Sequence, residues 1–289
     1  MIHRRSFRAM GTEVALFLAA NSGHAAEAAL DSAEREFERV EALLSRFRAE
    51  SELSALNREG RLEAGDDLLA VVDLALDARA RTGGRFDPTV HDALVAAGYD
   101  RTFEEIAPDG ASERPAAQCG GGVRISGRTI ELEPGTHLDL GGIGKGYTVD
   151  RAAAILSSAG PALVDAGGDI AAQGRPDALG WRVGIETAEG TLTLALEDAA
   201  IATSGRDRRH WRRDGEERHH LIDPSTGRPA QGDLVRVTVV APTAVEAEVL
   251  AKSLFLAGEH VATAEAEIRR IPAVLVTSDG RTVIAGGLA

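Results

Sequence analysis

Cysteine, aromatic residues and an excess of positive charge are what this chain has little of. Among 289 residues Cys119 is the single cysteine, which excludes an internal disulfide framework and a zinc cage built on several thiolates. Aromatic residues make up 4%, so alanine and short aliphatic side chains must fill any core. Lysine and arginine (32) are outnumbered by aspartate and glutamate (45), a formal net charge of -13. Without a basic face to meet phosphate backbones, nucleic acid is excluded as a partner. No apolar run approaches the roughly 18–20 residues that span a bilayer. Arg4 and Arg5 are not followed by an apolar stretch of leader length, and Glu13 interrupts the first apolar segment. The expectation is a cytoplasmic protein with no membrane insertion. The 44% hydrophobic and 27% charged fractions are those of a folded chain long enough to bury a core.

The pattern along the chain mixes helix and strand. Glu13–Ala19 reads as a buried strand. Leu30, Ala33, Phe37, Val40, Leu44 and Phe47 recur at steps of three and four, the spacing of one helix face. A second helix spans about Asp67–Arg81 and is stopped by Gly83-Gly84. Phe103–Gln118, with Pro108, Gly110 and Pro115, reads as a loop. Thr129–Leu132, Trp181–Ile185 and Leu192–Leu196 alternate like half-buried antiparallel strands. Helices are expected near Tyr147–Ser158 and Thr243–Leu256, the latter opened by the capping-box spacing Thr243-x-x-Glu246. Ala273–Thr277 and Arg281–Ala285 form a hairpin around Asp279-Gly280. Without regular βα alternation, this is an α+β fold.

Four polar clusters interrupt the scaffold. Gly83-Gly84-Arg85-Phe86-Asp87-Pro88-Thr89 directly follows a helix and, taken alone, reads first as a helix stop plus a turn. Asp139-Leu140-Gly141-Gly142-Ile143-Gly144-Lys145-Gly146 precedes a helix, where glycine amides and the Lys145 ammonium can converge on an anion. It is neither a Walker loop nor a dinucleotide fingerprint. Gly167-Gly168-Asp169 ends a strand. His219-His220-Leu221-Ile222-Asp223-Pro224 offers a general-base imidazole, after an Arg206–Arg218 stretch that reads as a solvated mixed-charge loop. A Ser204-His220-Asp223 hydrolase can be imagined, but no nucleophile elbow surrounds Ser204.

In order, these clusters resemble the ApbE family of FAD:protein FMN transferases. The resemblance runs through Met10-Gly11-Thr12, Ser45-x-Phe47 with Ser51-Glu52 and Asn57, and the Gly84–Thr89 and Asp139–Gly146 clusters. It continues through Gly167-Gly168-Asp169, Ser204-Gly205, His220–Gly227 and Ala247–Gly258, covering nearly the whole chain as one domain, 1–289. It implies an α+β fold of two similar halves, mainly antiparallel sheets with packed helices, and FAD held between them. The implied reaction moves FMN from FAD to a threonine hydroxyl of an acceptor protein and releases AMP. Position by position, Met10, Phe47, Arg85, Phe86, Asp87, Asp139, Lys145 and the backbone at Leu221 and Ile222 would contact FAD. His220 and Asp169 would carry the catalysis.

One departure stands out. The family's metal positions, which bind magnesium, fall here on the Gly142 carbonyl, Glu248 and Lys252, within Ala247-Glu248-Val249-Leu250-Ala251-Lys252. A protonated lysine cannot ligate. Either Glu248 and Lys252 form an i,i+4 pair on the helix surface, or the Lys252 ammonium supplies the charge that magnesium supplies elsewhere. Two rival functions follow: an FAD-binding protein without efficient transfer, or an FAD hydrolase yielding FMN and AMP.

Overall fold

The computed structural model describes residues 1–106, 109–110 (backbone only), 117–213 and 215–288. The chain forms two compact units interleaved in sequence: residues 1–41, 143–204 and 233–289 in the first, and 42–142 with 205–232 in the second.

The first unit is organised on an eight-stranded sheet. Its spatial order is Ile2–Ala9, Thr12–Ala19, Ala162–Ala166, Asp169–Gln173, Ala199–Gly205, Leu234–Ala241, Ala273–Thr277 and Thr282–Ala285. Thr12–Ala19 pairs antiparallel with Ala162–Ala166, setting Val14 opposite Ala166, Leu16 opposite Val164 and Leu18 opposite Ala162. Side chains alternate across a strand, so these six share one face. There they pack with Leu30, Ala33 and Phe37 of the helix Gly23–Leu44 and with Val149, Ala152 and Leu156 of the helix Gly144–Ser157. The other face, with Phe17, Leu163, Ile170 and Ile201, is covered by Trp181, Val183, Ile185 and Leu196 from the hairpin Trp181–Thr187/Gly190–Leu196. Burial on both faces explains why Thr12–Ala19 reads as a nearly continuous apolar run.

The strand Ile2–Ala9 gives no such signal, and sequence patterning missed it. It is an edge strand whose exposed residues alternate with half-buried ones. Arg5 reaches Glu27, Asp31 and Glu34 of the neighbouring helix, a charged edge of the kind that discourages pairing with other chains. Its hairpin turns at Met10 and Gly11, with φ of 52° and 68°. Positive φ at both central residues is the I′ geometry that matches strand twist.

The helix Ala244–Ala257 is buried nearly all round, as expected for a helix enclosed by the fold. Thr243 caps it, accepting from the Glu246 amide at 3.2 Å. Asp150, from the helix Gly144–Ser157, adds a second cap by accepting from the Ala244 and Val245 amides at 2.7 and 3.0 Å. The two helices meet at Gly146. A Cβ there would stand 2.8 Å from the Ala244 backbone, so only glycine permits this approach.

The second unit holds the helices Glu52–Glu59, Asp66–Arg81 and His91–Ala96. Beside them lies a sheet ordered Arg61–Glu63, Thr129–Leu132, Val123–Ser126. The expected loop Arg206–Arg218 is corrected here: His210–Arg213 and Glu216–His219 pair as an antiparallel hairpin. Its dense charge hid the alternation that turns Trp211 inward, where the indole donates to the Ala97 carbonyl at 2.9 Å. Of the expected loop Phe103–Gln118, residues 107, 108 and 111–116 lie outside the described residues. Phe103–Glu105 form a single 3-10 turn, and Asp109–Gly110 pair with Arg212–Arg213. Among the described residues no helix is long and apolar enough to cross a membrane.

Candidate active site

In the first unit the chemistry gathers at the start of the helix Gly144–Ser157. Lys145 projects from its first turn onto Asp169, which begins its own strand after Gly167-Gly168. The same ammonium lies 3.2 Å from Glu248 Oε1, and the Gly146 amide donates to Glu248 Oε2 at 3.0 Å. The carboxylate side chains are 4% and 5% exposed, so this is a desolvated cluster. Burial pushes Asp169 up to about 6; the Lys145 charge opposes that rise, Glu248 adds to it, and Lys252 opposes it more weakly. A carboxyl held this close to neutrality exchanges its proton readily under physiological conditions. Met10, the other expected site residue of this unit, packs half-buried against the main core at the edge of the sheet.

This geometry corrects one expectation. Glu248 is not part of an ion pair on the helix surface. It is buried, with its two oxygens taken by the Lys145 ammonium and the Gly146 amide. Lys252, half-buried one turn further on, has donors and no acceptor. An ordinary magnesium site needs several oxygen ligands held in octahedral geometry. The carboxylate oxygens here are already engaged, Asp169 by Lys145 and Glu248 by Lys145 and the Gly146 amide, and Lys252 has no lone pair to offer, so this arrangement does not fit magnesium. Gly142, the third expected metal position, is half-buried in the turn after Asp139, in the second unit.

The second unit holds the remaining expected residues, some of them around the ion pairs Arg46–Asp139 and Arg79–Asp87. Asp139 pairs with Arg46 at 2.6 Å, the side chains being 10% and 6% exposed. The guanidinium also lies 4.2 Å from the Phe47 ring centroid and 4.8 Å from that of Tyr99, and donates to the Tyr99 carbonyl at 2.7 Å. Tyr99 in turn contacts Trp211, at 5.6 Å between centroids. Phe47 thus closes an aromatic–guanidinium stack and is itself 38% exposed. Arg46 and Tyr99 were missed. Arg46 stood as the unspecified residue of Ser45-x-Phe47, and Tyr99, one of two tyrosines, lies in no motif.

Asp87 serves the turn that carries it. It accepts from the Thr89 amide and hydroxyl at 2.8 and 2.7 Å and faces Arg79 at 3.4 Å. Thr89 then accepts from the Gly120 amide at 2.7 Å. Phe86 is buried beside it, whereas Arg85 is half-buried. Asp139 also accepts from the Gly141 amide at 2.8 Å. With the Gly146 amide held by Glu248, two amides of the expected anion nest are therefore engaged by the protein itself.

The paired histidines differ. His219 is buried; its Nε2 donates to the Ala230 carbonyl at 2.9 Å, and its Nδ1 accepts from the Leu221 amide at 3.3 Å. Burial lowers its pKa, so it is a neutral structural imidazole. His220 is half-buried, with Nδ1 at 3.4 Å from the Arg209 carbonyl. Leu221 and Ile222 are buried, and the Leu221 carbonyl accepts from Ala230 at 2.8 Å. Asp223, the third member of the imagined triad, accepts from the Ser225 amide and hydroxyl in a local turn. Burial pushes the Cys119 thiol up to about 11, which removes it as a thiolate nucleophile.

The model of the ApbE family matches residues 10–275. An FAD:protein FMN transferase of Vibrio cholerae is 33% identical over 264 residues, covering 86% of this chain and 79% of that protein. One from Treponema pallidum is 31% identical over 293 residues, covering 90% and 80%. Among solved structures, the ApbE protein of Thermotoga maritima aligns with a TM-score of 0.87 at 24% identity, over 99% of this chain and 97% of that one. The flavin transferase ApbE from Vibrio cholerae aligns with a TM-score of 0.80 at 26% identity, over 100% and 98%.

Proposed function

This chain belongs to the ApbE family, and from that premise we propose that it is an FAD:protein FMN transferase whose acceptor is a protein threonine. The observation that carries the reading is the Lys145–Asp169–Glu248 cluster at a glycine-rich helix start, within a match that spans most of the chain. A helix N-terminus with a lysine suits the pyrophosphate of FAD.

In the proposed step the threonine Oγ attacks the phosphorus on the FMN side of the pyrophosphate. A new Oγ–P bond forms, the bond from that phosphorus to the bridging oxygen breaks, and AMP leaves with that oxygen. His220 accepts the hydroxyl proton. Lys145 neutralises charge on the phosphoryl oxygens, and Asp169 holds and orients its ammonium. Phe47 stacks on a ring of FAD beside Arg46. Lys252 adds positive charge near the same cluster.

The test is incubation with FAD, with and without a threonine-bearing acceptor. Acceptor-dependent AMP release together with covalent flavin fluorescence on the acceptor supports transfer. AMP and free FMN formed at the same rate without acceptor would make the protein an FAD hydrolase. Tight FAD binding with no AMP would leave only a binding protein.

A further inference from the structure

Outside the residues assigned to flavin transfer, the second unit brings together two imidazoles and a carboxylate. His91 and Asp92 open the short helix His91–Ala96, and His137 lies 45 residues beyond Asp92. Asp92 Oδ1 is 2.8 Å from His91 Nδ1, and its Oδ2 is 2.8 Å from His137 Nδ1. One ligating atom from each of the three residues can be chosen so that all lie within 4.8 Å of one another. The imidazole centroids are 5.6 Å apart.

We propose that His91, Asp92 and His137 form a binding site for a divalent transition-metal ion of the zinc class. The donor set selects the ion: two imidazole nitrogens and one carboxylate suit zinc, cobalt or nickel, whereas magnesium and calcium take oxygen ligands. The separations are within reach of a tetrahedral site. Bonds of about 2.0–2.1 Å leave ligand atoms roughly 3.3 Å apart. Each Nδ1–carboxylate spacing of 2.8 Å therefore has to open and the three atoms, now within 4.8 Å of one another, have to converge, movements that side-chain rotation supplies. The backbone is already held in place. Asn57 brackets Leu138, donating to its carbonyl at 2.9 Å and accepting from its amide at 2.7 Å. The Asp139 amide donates to the Pro88 carbonyl at 2.8 Å. The three side chains are 21%, 39% and 36% exposed, so an ion can enter and a water can complete the shell.

Such an ion would clip the segment after Asp87 to the segment before Asp139. Closing a loop of this length restricts the unfolded chain, so the metal acts as a staple on the unit that carries both residues.

The competing arrangement is hydrogen bonding alone, each imidazole donating Nδ1–H to one carboxylate oxygen. The two are separated by titrating chelator-treated full-length protein with Co²⁺, then with Zn²⁺. The expected result is one equivalent of Co²⁺ with visible ligand-field bands, displaced by one equivalent of Zn²⁺, and a higher Tm with zinc. His137→Ala should weaken Zn²⁺ binding by more than about 100-fold, beyond the 10–100-fold typical of losing an outer-shell partner. His91→Gln/His137→Gln, which keeps side-chain volume and an amide to face Asp92, should remain folded by circular dichroism and show no bands. Absence of bands in wild type, or bands of equal intensity in the folded double variant, would overturn the proposal. FAD affinity, measured alongside, is expected to be unchanged in that variant, so the outcome is independent of the transferase reading.

Discussion

Replacing Lys145 with methionine tests the electrostatic logic of the buried cluster. The substitution keeps the aliphatic stem and removes a cation that touches both Asp169 and Glu248. Breaking a buried ion pair by deleting one partner costs on the order of 3–5 kcal/mol, because the other charge is stranded. Here the stranded charge can take up a proton, and that limits the loss. In the intact protein burial raises Asp169 from 3.8 to about 6. A shift of roughly 2 units at about 1.4 kcal/mol per unit makes ionised Asp169 a cost of about 3 kcal/mol. The folded pKa lies above the unfolded one, so the protonated carboxyl favours folding. That contribution is complete below pH 3.8 and is lost as pH rises through 6. Without Lys145 the folded pKa rises further, and the loss continues to higher pH. The stability deficit of Lys145→Met relative to wild type should therefore be smallest near pH 5 and grow between pH 6 and 8. Its slope should approach 1.4 kcal/mol per pH unit until the new pKa is reached. Urea denaturation of both proteins across pH 5–8 measures this directly. A deficit independent of pH, or a variant as stable as wild type at pH 8, would refute the coupling. The same variant should bind FAD more weakly by on the order of 1.5–3 kcal/mol, the range for a charge-assisted contact.

Other consequences are open to measurement. His220→Ala should lower AMP release by roughly 10²–10⁴-fold with little change in Tm, whereas His219→Ala, which removes two buried hydrogen bonds, should cost about 1–3 kcal/mol in denaturation. Gly146→Ala forces a Cβ against the Ala244 backbone; overpacking of about 1–3 kcal/mol outweighs a helix-propensity gain of about 1, and thermal unfolding should show the net loss. FAD affinity of wild type should be the same in magnesium and in EDTA, and Glu248→Asp/Lys252→Thr should make it respond to magnesium; wild-type binding that collapses in EDTA would return Glu248 to the role of metal ligand.

Much of the scaffold was legible in the chain because local periodicity carries it. The three-and-four spacing from Leu30, the Gly83-Gly84 stop and Thr243-x-x-Glu246 each express a single helix, and all three helices are found, though the first ends at Leu44 and leaves Phe47 in the turn beyond it rather than on its face. The ordered polar motifs likewise led to the family, because their order survives without knowledge of contacts. What periodicity could not supply was pairing. Ile2–Ala9 is a strand because a neighbour lies beside it, and His210–His219 is a hairpin because Trp211 finds the Ala97 carbonyl. Glu248 and Lys252, four apart on one helix, were legible as a surface pair or as a replacement for a metal's charge, and the chain alone did not choose between them. The tertiary structure instead buries Glu248 and gives it to Lys145, 103 residues away. His91, Asp92 and His137 belong to no motif and meet only because the irregular segment before Asp139 returns to the start of a helix. Charges and ligands find partners through space, and the free energy of burying them depends on which partner arrives.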